Sequence, residues 1–398
     1  MIRLQRAGSR PVLALATVLL LGGLLAGCND GTDGSSQSWV PQPDFQGNNE
    51  PAPQLPNPGI ATPSLPGTGP QPSQPGGGTQ PSPRQSGQPA DPNVVATGLV
   101  EPTGLVVLPD GTALVGERKT GRIYRVQPDG HGHPALVQTL AGVDGSGDGG
   151  LLDLAISPTY AEDGLIYAYL TTRTDNRVVH FPLGSAPSVV IGGIPRGTTG
   201  NTGRIAFDAT GALLTGTGDA GNPVLAASLT GLAGKLLRTD DIGKPAPDNP
   251  TAGSPIYARG VAGLTGLCVD QQSGLRVAVT ADRVSVIRAG GDYTGAVGGR
   301  ALPAGVTGGG GCALAGGQLV VATSTGKALA VATVGKDGTV GTFTASLTGV
   351  YGRLRTAVAG SDSALWLTTR NRDGLGKPTA DDDRVIRITN PDSTSPVV

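Results

Sequence analysis

Six times along the chain one pattern recurs: a short apolar run, a tight turn carrying Gly or Asp, and a second apolar run. The copies read GLVVLPDGTALVGE from Gly104, DLAISPTYAEDGLIYAYL from Asp153 and GRIAFDATGALLTG from Gly203. They continue as GLCVDQQSGLRVAVT from Gly266, GCALAGGQLVVATS from Gly311 and RTAVAGSDSALWLTT from Arg355. The starts lie roughly 45 to 60 residues apart, the length of a unit of about four strands. Such a unit cannot bury its own apolar faces, so copies must stack in a ring. The pattern predicts an all-β, six-bladed β-propeller over 92–398. A β-sandwich is the structural alternative, but it does not explain the period. The strand near Val94 to Gly98 is expected to close the ring on the last blade. Later strands of the blades are read at Arg122 to Val126, Arg177 to Phe181, Lys235 to Arg238, Arg283 to Arg288 and Arg384 to Ile388. Their basic ends and apolar alternation predict half-exposed sheet.

The first 91 residues have a different texture. Arg3, Arg6 and Arg10 precede a mostly apolar stretch from Pro11 to Ala26, which ends in Leu25-Ala26-Gly27-Cys28. This reads as a signal peptide over 1–27. The LAGC ending resembles a bacterial lipobox, which makes Cys28 the lipidated first residue of the mature chain. A single membrane anchor ending in an incidental cysteine is the alternative. From Asn29 to Asp91 the chain is Pro, Gly, Ser, Gln and Asn with few apolar residues. It cannot bury enough apolar surface to offset its ordering entropy. It is read as a disordered tether over 28–91, with a reach on the order of 45 Å. The domain is then expected outside the cytoplasm, lipid-anchored to the cell membrane. There the remaining cysteines, Cys268 and Cys312, favour a disulfide between first strands of neighbouring blades over two free buried thiols. There is no CxxC or Cys/His cluster, and no residue is assigned as a metal ligand. A net charge of −1 argues against a nucleic-acid partner.

The repeats carry more than a generic propeller pattern. EPTGLVVLPDGTALVGERKTGRIYRV (101 to 126), GDGGLLDLAISPTYAEDGLIYAYL (147 to 170) and GRIAFDATGALLTGTGDAG (203 to 221) resemble the soluble quinoprotein glucose dehydrogenases and their glucose/sorbosone dehydrogenase relatives. So do LAGKLLRTDDIGKPAPDNPTAGSPIYARG (232 to 260) and GRLRTAVAGSDSALWLTTRNRDG (352 to 374). The lipobox, tether and GNTG run resemble an actinobacterial lipoprotein branch. The resemblance implies pyrroloquinoline quinone (PQQ) and calcium on the top of the propeller. It also implies hydride transfer from the anomeric carbon of a sugar, with a histidine as proton acceptor. Arginines and a lysine would hold the quinone carboxylates, and an acidic loop would hold calcium.

Matched residue by residue, this chain departs from that pattern. The histidine slot of His-x-x-Gly-Arg falls on Gly200, with Gly203 and Arg204 following. The chain's histidines, His131, His133 and His180, match no such position. The Arg-Asn pair on the cofactor corresponds to Ala262 and Gly263. VAVTADRVSVIRAGGDYTG (277 to 295) lacks the acidic insertion, and Asp282 alone precedes the next strand. The cofactor lysine aligns near Thr325, with Lys327 two residues on. Arg353 and Arg355 match the paired arginines of the last blade, as pocket groups or as packing ion pairs. Asp148 matches a Glu or Gln at the pocket rim. Asp219 is kept, with a turn carboxylate as its simpler role. The candidate top-face binding set is therefore Asp148, Asn201, Arg204, Asp219, Arg353 and Arg355, with no catalytic residue.

Two acidic runs stand apart. Asp144-Gly145-Ser146-Gly147-Asp148-Gly149 resembles the start of an EF-hand loop, but Ala155 stands where the twelfth-position Glu belongs. TADDDR (379 to 384) reads as a solvated turn, with a weak metal site as the alternative. Base, cofactor arginine and calcium loop fail together. The expected function is therefore a membrane-anchored binding or scaffold module with a glycan or protein partner, lacking PQQ and calcium. The rival is an active PQQ-dependent sugar dehydrogenase with an altered site. A purely structural envelope protein is a third reading.

Overall fold

The computed structural model describes residues 91–130, 133–295 and 298–389. The signal segment, Cys28, the tether to residue 90 and His131 lie outside the described residues.

Six four-stranded antiparallel sheets form the six blades. Their innermost strands are Pro102–Val107, Leu151–Ile156, Gly203–Phe207, Gly266–Val269, Gly309–Ala315 and Leu354–Ala359. Each of the six sequence repeats therefore opens on an inner strand. The ring closes as expected. Val94–Ala96 pairs antiparallel with Val385–Ile388, so the start of the domain supplies the outer strand of blade 6.

The apolar core is six seams between blades. Leu114, Ile123 and Leu140 of blade 1 meet Leu151, Ile166 and Phe181 of blade 2. Val277, Val279 and Val284 of blade 4 meet Leu319, Val321 and Phe343 of blade 5. Across the closure, Val95 and Leu99 join Val115 and Trp366. A blade is covered on both faces, so second strands such as Ala113–Glu117 and Leu365–Thr369 are buried at every position. That explains why they read as continuous apolar runs. Cys268 and Cys312 form a disulfide between the inner strands of blades 4 and 5, with Cα atoms 5.9 Å apart.

The half-exposed reading holds for Arg122–Val126 and fails in blade 3, where Lys235–Thr239 is buried throughout. Lys235 Nζ donates to the carbonyls of Leu225, Ala226 and Ala233 at 2.9, 3.0 and 2.7 Å. This ties the short helix Pro223–Ala227 to the blade. Burial, with the charge of Arg259 added, pushes the Lys235 pKa down to about 8. Arg238 is held by the buried Asp208 and by Asp248.

The acidic run at 379 to 384 also departs from its reading as solvated. Asp382 and Asp383 are buried. Asp383 accepts hydrogen bonds from the backbone N–H groups of Asn371, Arg372 and Glu101. Asp382 accepts from Asn371 Nδ2 and pairs with Arg384 at 2.9 Å. Carboxylates that satisfy buried N–H groups stabilise a loop crossing from blade to blade.

Candidate functional site at the propeller mouth

The inner strands begin at one end of the channel, where their leading loops surround a cavity of about 640 Å³. Its wall carries Arg118, Lys119, Arg204, Arg355 and Arg370 against Glu101, Asp148 and Asp373. Several of these charges are already paired. Arg118 and Lys119 both bind Glu101. Arg370 and Arg353 share Asp373 at 2.9 and 2.8 Å. The channel continues beneath as a second cavity of about 560 Å³, and Arg204 lines both.

The turn from Gly197 to Gly203 forms one side of the mouth. Gly200 sits at φ +71°, and a Cβ there would lie 2.3 Å from Gly221 N and 2.5 Å from Asp219 Oδ1. Its N–H donates to Asp148 Oδ2 at 2.7 Å, and Asn201 Nδ2 donates to Asp148 Oδ1 at 2.8 Å. Asn201 Oδ1 accepts from Gly197 N and Asn176 Nδ2, so this buried amide is fully engaged as a clamp. Gly203 is held just as closely, since a Cβ there would lie 2.1 Å from the ring of Tyr169.

The six candidate residues divide by location. Asp148, Arg204 and Arg355 line the mouth. Asn201 is buried beneath it. Arg353 is consumed by two hydrogen bonds to Asp373 and one to the Ser324 carbonyl. Asp219 accepts from Gly221 N and lines a separate recess of about 380 Å³ between blades 3 and 4. Ala262 and Asp282 line that same recess. Asp282 stands in the tight hairpin between Arg276–Val279 and Arg283–Val286, where Thr280 donates to it at 3.0 Å. Lys327 is exposed in the turn before Ala328–Thr333 and is absent from the mouth lining. His133 is exposed, and His180 lies half-buried against Tyr167. Asp144 of the EF-hand-like run is bound by Arg196 at 2.9 Å, so both leading carboxylates of that run serve the protein.

Sequence reasoning missed Arg118, Arg370 and Thr202 of the mouth. Arg118 donates to the carbonyls of Gly147 and Gly149 as well as to Glu101, which shapes the loop before blade 2. No sequence signal marks this role, because the carbonyls it holds belong to the next blade.

A six-bladed propeller with a polar, arginine-lined mouth where its inner strands begin defines the class. Residues 99–294 match the family model described as Glucose / Sorbosone dehydrogenase. The chain resembles the PQQ-bound aldose sugar dehydrogenase of Streptomyces coelicolor, with 36% identity and a TM-score of 0.69 over 74% of this chain and 95% of that one. It resembles a putative oxidoreductase (glucose dehydrogenase) of Thermus thermophilus, with 34% identity and a TM-score of 0.67 over 74% and 98%. The aldose sugar dehydrogenase YliI of Escherichia coli is 27% identical over 198 residues, 45% of this chain and 53% of that protein. The chain spans about half the length of the curated relatives it matches. The chain belongs to the glucose/sorbosone dehydrogenase family.

Proposed function

We propose that this propeller has kept the sugar-dehydrogenase fold without its quinone-dependent reaction, and that its mouth serves binding. The observation that carries this is the turn at Gly200. The slot for the proton acceptor holds no side chain. Its left-handed backbone is packed against Gly221 and Asp219, so none could be added without moving the turn. Loss of a positioned base typically costs about 10²- to 10⁴-fold in rate.

The residues present do not fit the PQQ–calcium pair of the family. Ala262 ends at a methyl group on the recess wall and offers a carboxylate no hydrogen bond. The hairpin that would carry an acidic calcium loop has the single carboxylate Asp282, with 68% of its side chain exposed. Calcium takes about 6 to 8 oxygen ligands.

The reading extends to the whole chain as a lipoprotein. Lipid on Cys28 would hold the protein to the outer side of the membrane, and the tether would carry the propeller clear of it. The partner would be a cell-envelope glycan or protein, met by loops from several blades. The glycan choice rests on fold analogy. The test is titration of PQQ with calcium into the purified chain, with dye-linked oxidation of aldoses on the same sample. Absence of binding heat and of turnover is the expected result, and saturable turnover overturns the proposal. Metabolic labelling with a palmitate analogue tests the anchor, with loss of label expected on Cys28→Ala.

The rival, an active oxidoreductase with an altered site, draws on one specific observation. Arg355 lines the mouth at a position matching the family's cofactor arginines. The same titration separates the two.

A further inference from the structure

Inside the mouth three buried donors have no acceptor. They are Nη2 of Arg204, Nε of Arg355 and Oγ1 of Thr202. All three residues line the same cavity, two from blade 3 and one from blade 6. Arg204 is 3% exposed. Its remaining nitrogens are fixed, Nε to the Thr265 carbonyl at 2.6 Å and Nη1 to the Leu152 carbonyl at 2.9 Å. The guanidinium cannot turn away to find another partner.

Charge is as unbalanced as hydrogen bonding. Arginine stays protonated in proteins, so both guanidiniums carry full charge inside the ring. Asp153 is the carboxylate set against them, and it stands 3.4 Å from Arg204 Nη1. Its other oxygen is occupied by the Ile205 N–H at 2.9 Å. The neighbouring Arg370 and Arg353 share the one carboxylate of Asp373. Asp153 thus faces two guanidiniums, of the buried Arg204 and the half-buried Arg355, while Asp148 on the same wall is taken up by Gly200 N–H and Asn201 Nδ2. Burial and then the charge of Arg204 weigh most heavily against the charged form of Arg355, and Asp153 only partly opposes them. Buried ions are held by partners, and an orphaned buried donor is costly to leave unmade.

We propose that a small monovalent inorganic anion, of the size and charge of chloride, sits in the mouth against Arg204, Arg355 and Thr202. It supplies the missing charge and accepts from all three donors. The site is independent of the reading of catalysis above. It concerns the resting state of the chain, and its occupancy does not depend on whether sugars are oxidised.

The experiment has two arms. Crystals of the purified chain are soaked in bromide, and the anomalous signal is located. The expected peak lies within hydrogen-bond distance of Arg204 Nη2 and Arg355 Nε. In solution, melting is followed at fixed ionic strength while isethionate is replaced by chloride. The wild type is expected to gain about 4 °C at a hundredfold excess over Kd, along a saturable curve. Arg355→Met, which removes one orphaned charge and keeps the bulk, is expected to lose that dependence. An empty mouth in bromide, or melting identical in chloride and isethionate, overturns the proposal. A bromide peak without any effect on wild-type melting marks an adventitious ion only and overturns it too. The wild-type arms stand even if the variant fails to fold.

Discussion

Gly200 and Asp208 show how single residues set the behaviour of this blade. Gly200 has φ +71° and backbone atoms where a Cβ would stand. Restoring a histidine there is predicted to lower stability by about 1–3 kcal/mol through strain alone, with no oxidation of aldoses gained. Urea unfolding and a dye-linked assay on Gly200→His measure both. Asp208 is buried, and burial by itself would raise its pKa. Hydrogen bonds from Thr210, Arg238 and Arg276 outweigh that and hold it well below the usual 3.8. The folded state therefore binds its proton less readily than the unfolded chain. The stability this contributes is complete above about pH 4 and is lost as pH falls further toward the folded pKa. Asp208→Asn is predicted to flatten the acid limb of the stability–pH profile below pH 4 and to lower stability at pH 7, measured by denaturant midpoints. Of the residues at the mouth, Asp148, Arg204 and Arg355 were legible from motifs, as was Gly200 in the turn beside them. The division of labour between Arg353 and Arg355 was not, because it depends on Asp373 arriving from the next hairpin.

At the scale of elements, the inner strands were legible at all six repeats because each begins a turn-bounded apolar run. The misread strand is Lys235–Thr239. A terminal lysine ordinarily marks a solvated strand end, but here three carbonyls from the preceding loop enclose its ammonium. The acidic run at 379 to 384 was misread for a similar reason, since its carboxylates are enclosed by N–H groups of the preceding loop at Asn371 and Arg372 and of Glu101 in blade 1. The disulfide between the inner strands of blades 4 and 5 spans 44 residues of sequence. By the chain-entropy argument a loop of that length is worth about 4 kcal/mol, and measured effects commonly fall to about 2. Replacing both cysteines by alanine is predicted to cost about 2–4 kcal/mol in denaturant unfolding while the far-ultraviolet circular dichroism of the folded chain stays unchanged. Blade 4 should loosen first, because its outer strand, Arg300–Ala301, is only two residues long. Amide hydrogen exchange would report this as faster exchange across 266–301 than in blade 2.

For the whole molecule, ring closure and blade number followed from the period of the sequence, and the family followed from motifs laid out in the same order. What the mouth binds was not legible. Its character comes from charges on four blades and from which of them find partners, and only the folded ring decides that. The central claim is that this ring no longer works with the family's quinone. The measurement that tests it most directly is calorimetric titration of PQQ with calcium into the purified chain, followed by aldose oxidation with a dye acceptor. The account predicts no saturable heat and no turnover above the protein-free rate. Calcium-dependent saturation accompanied by sugar oxidation would contradict it, and would place the proton acceptor somewhere other than Gly200.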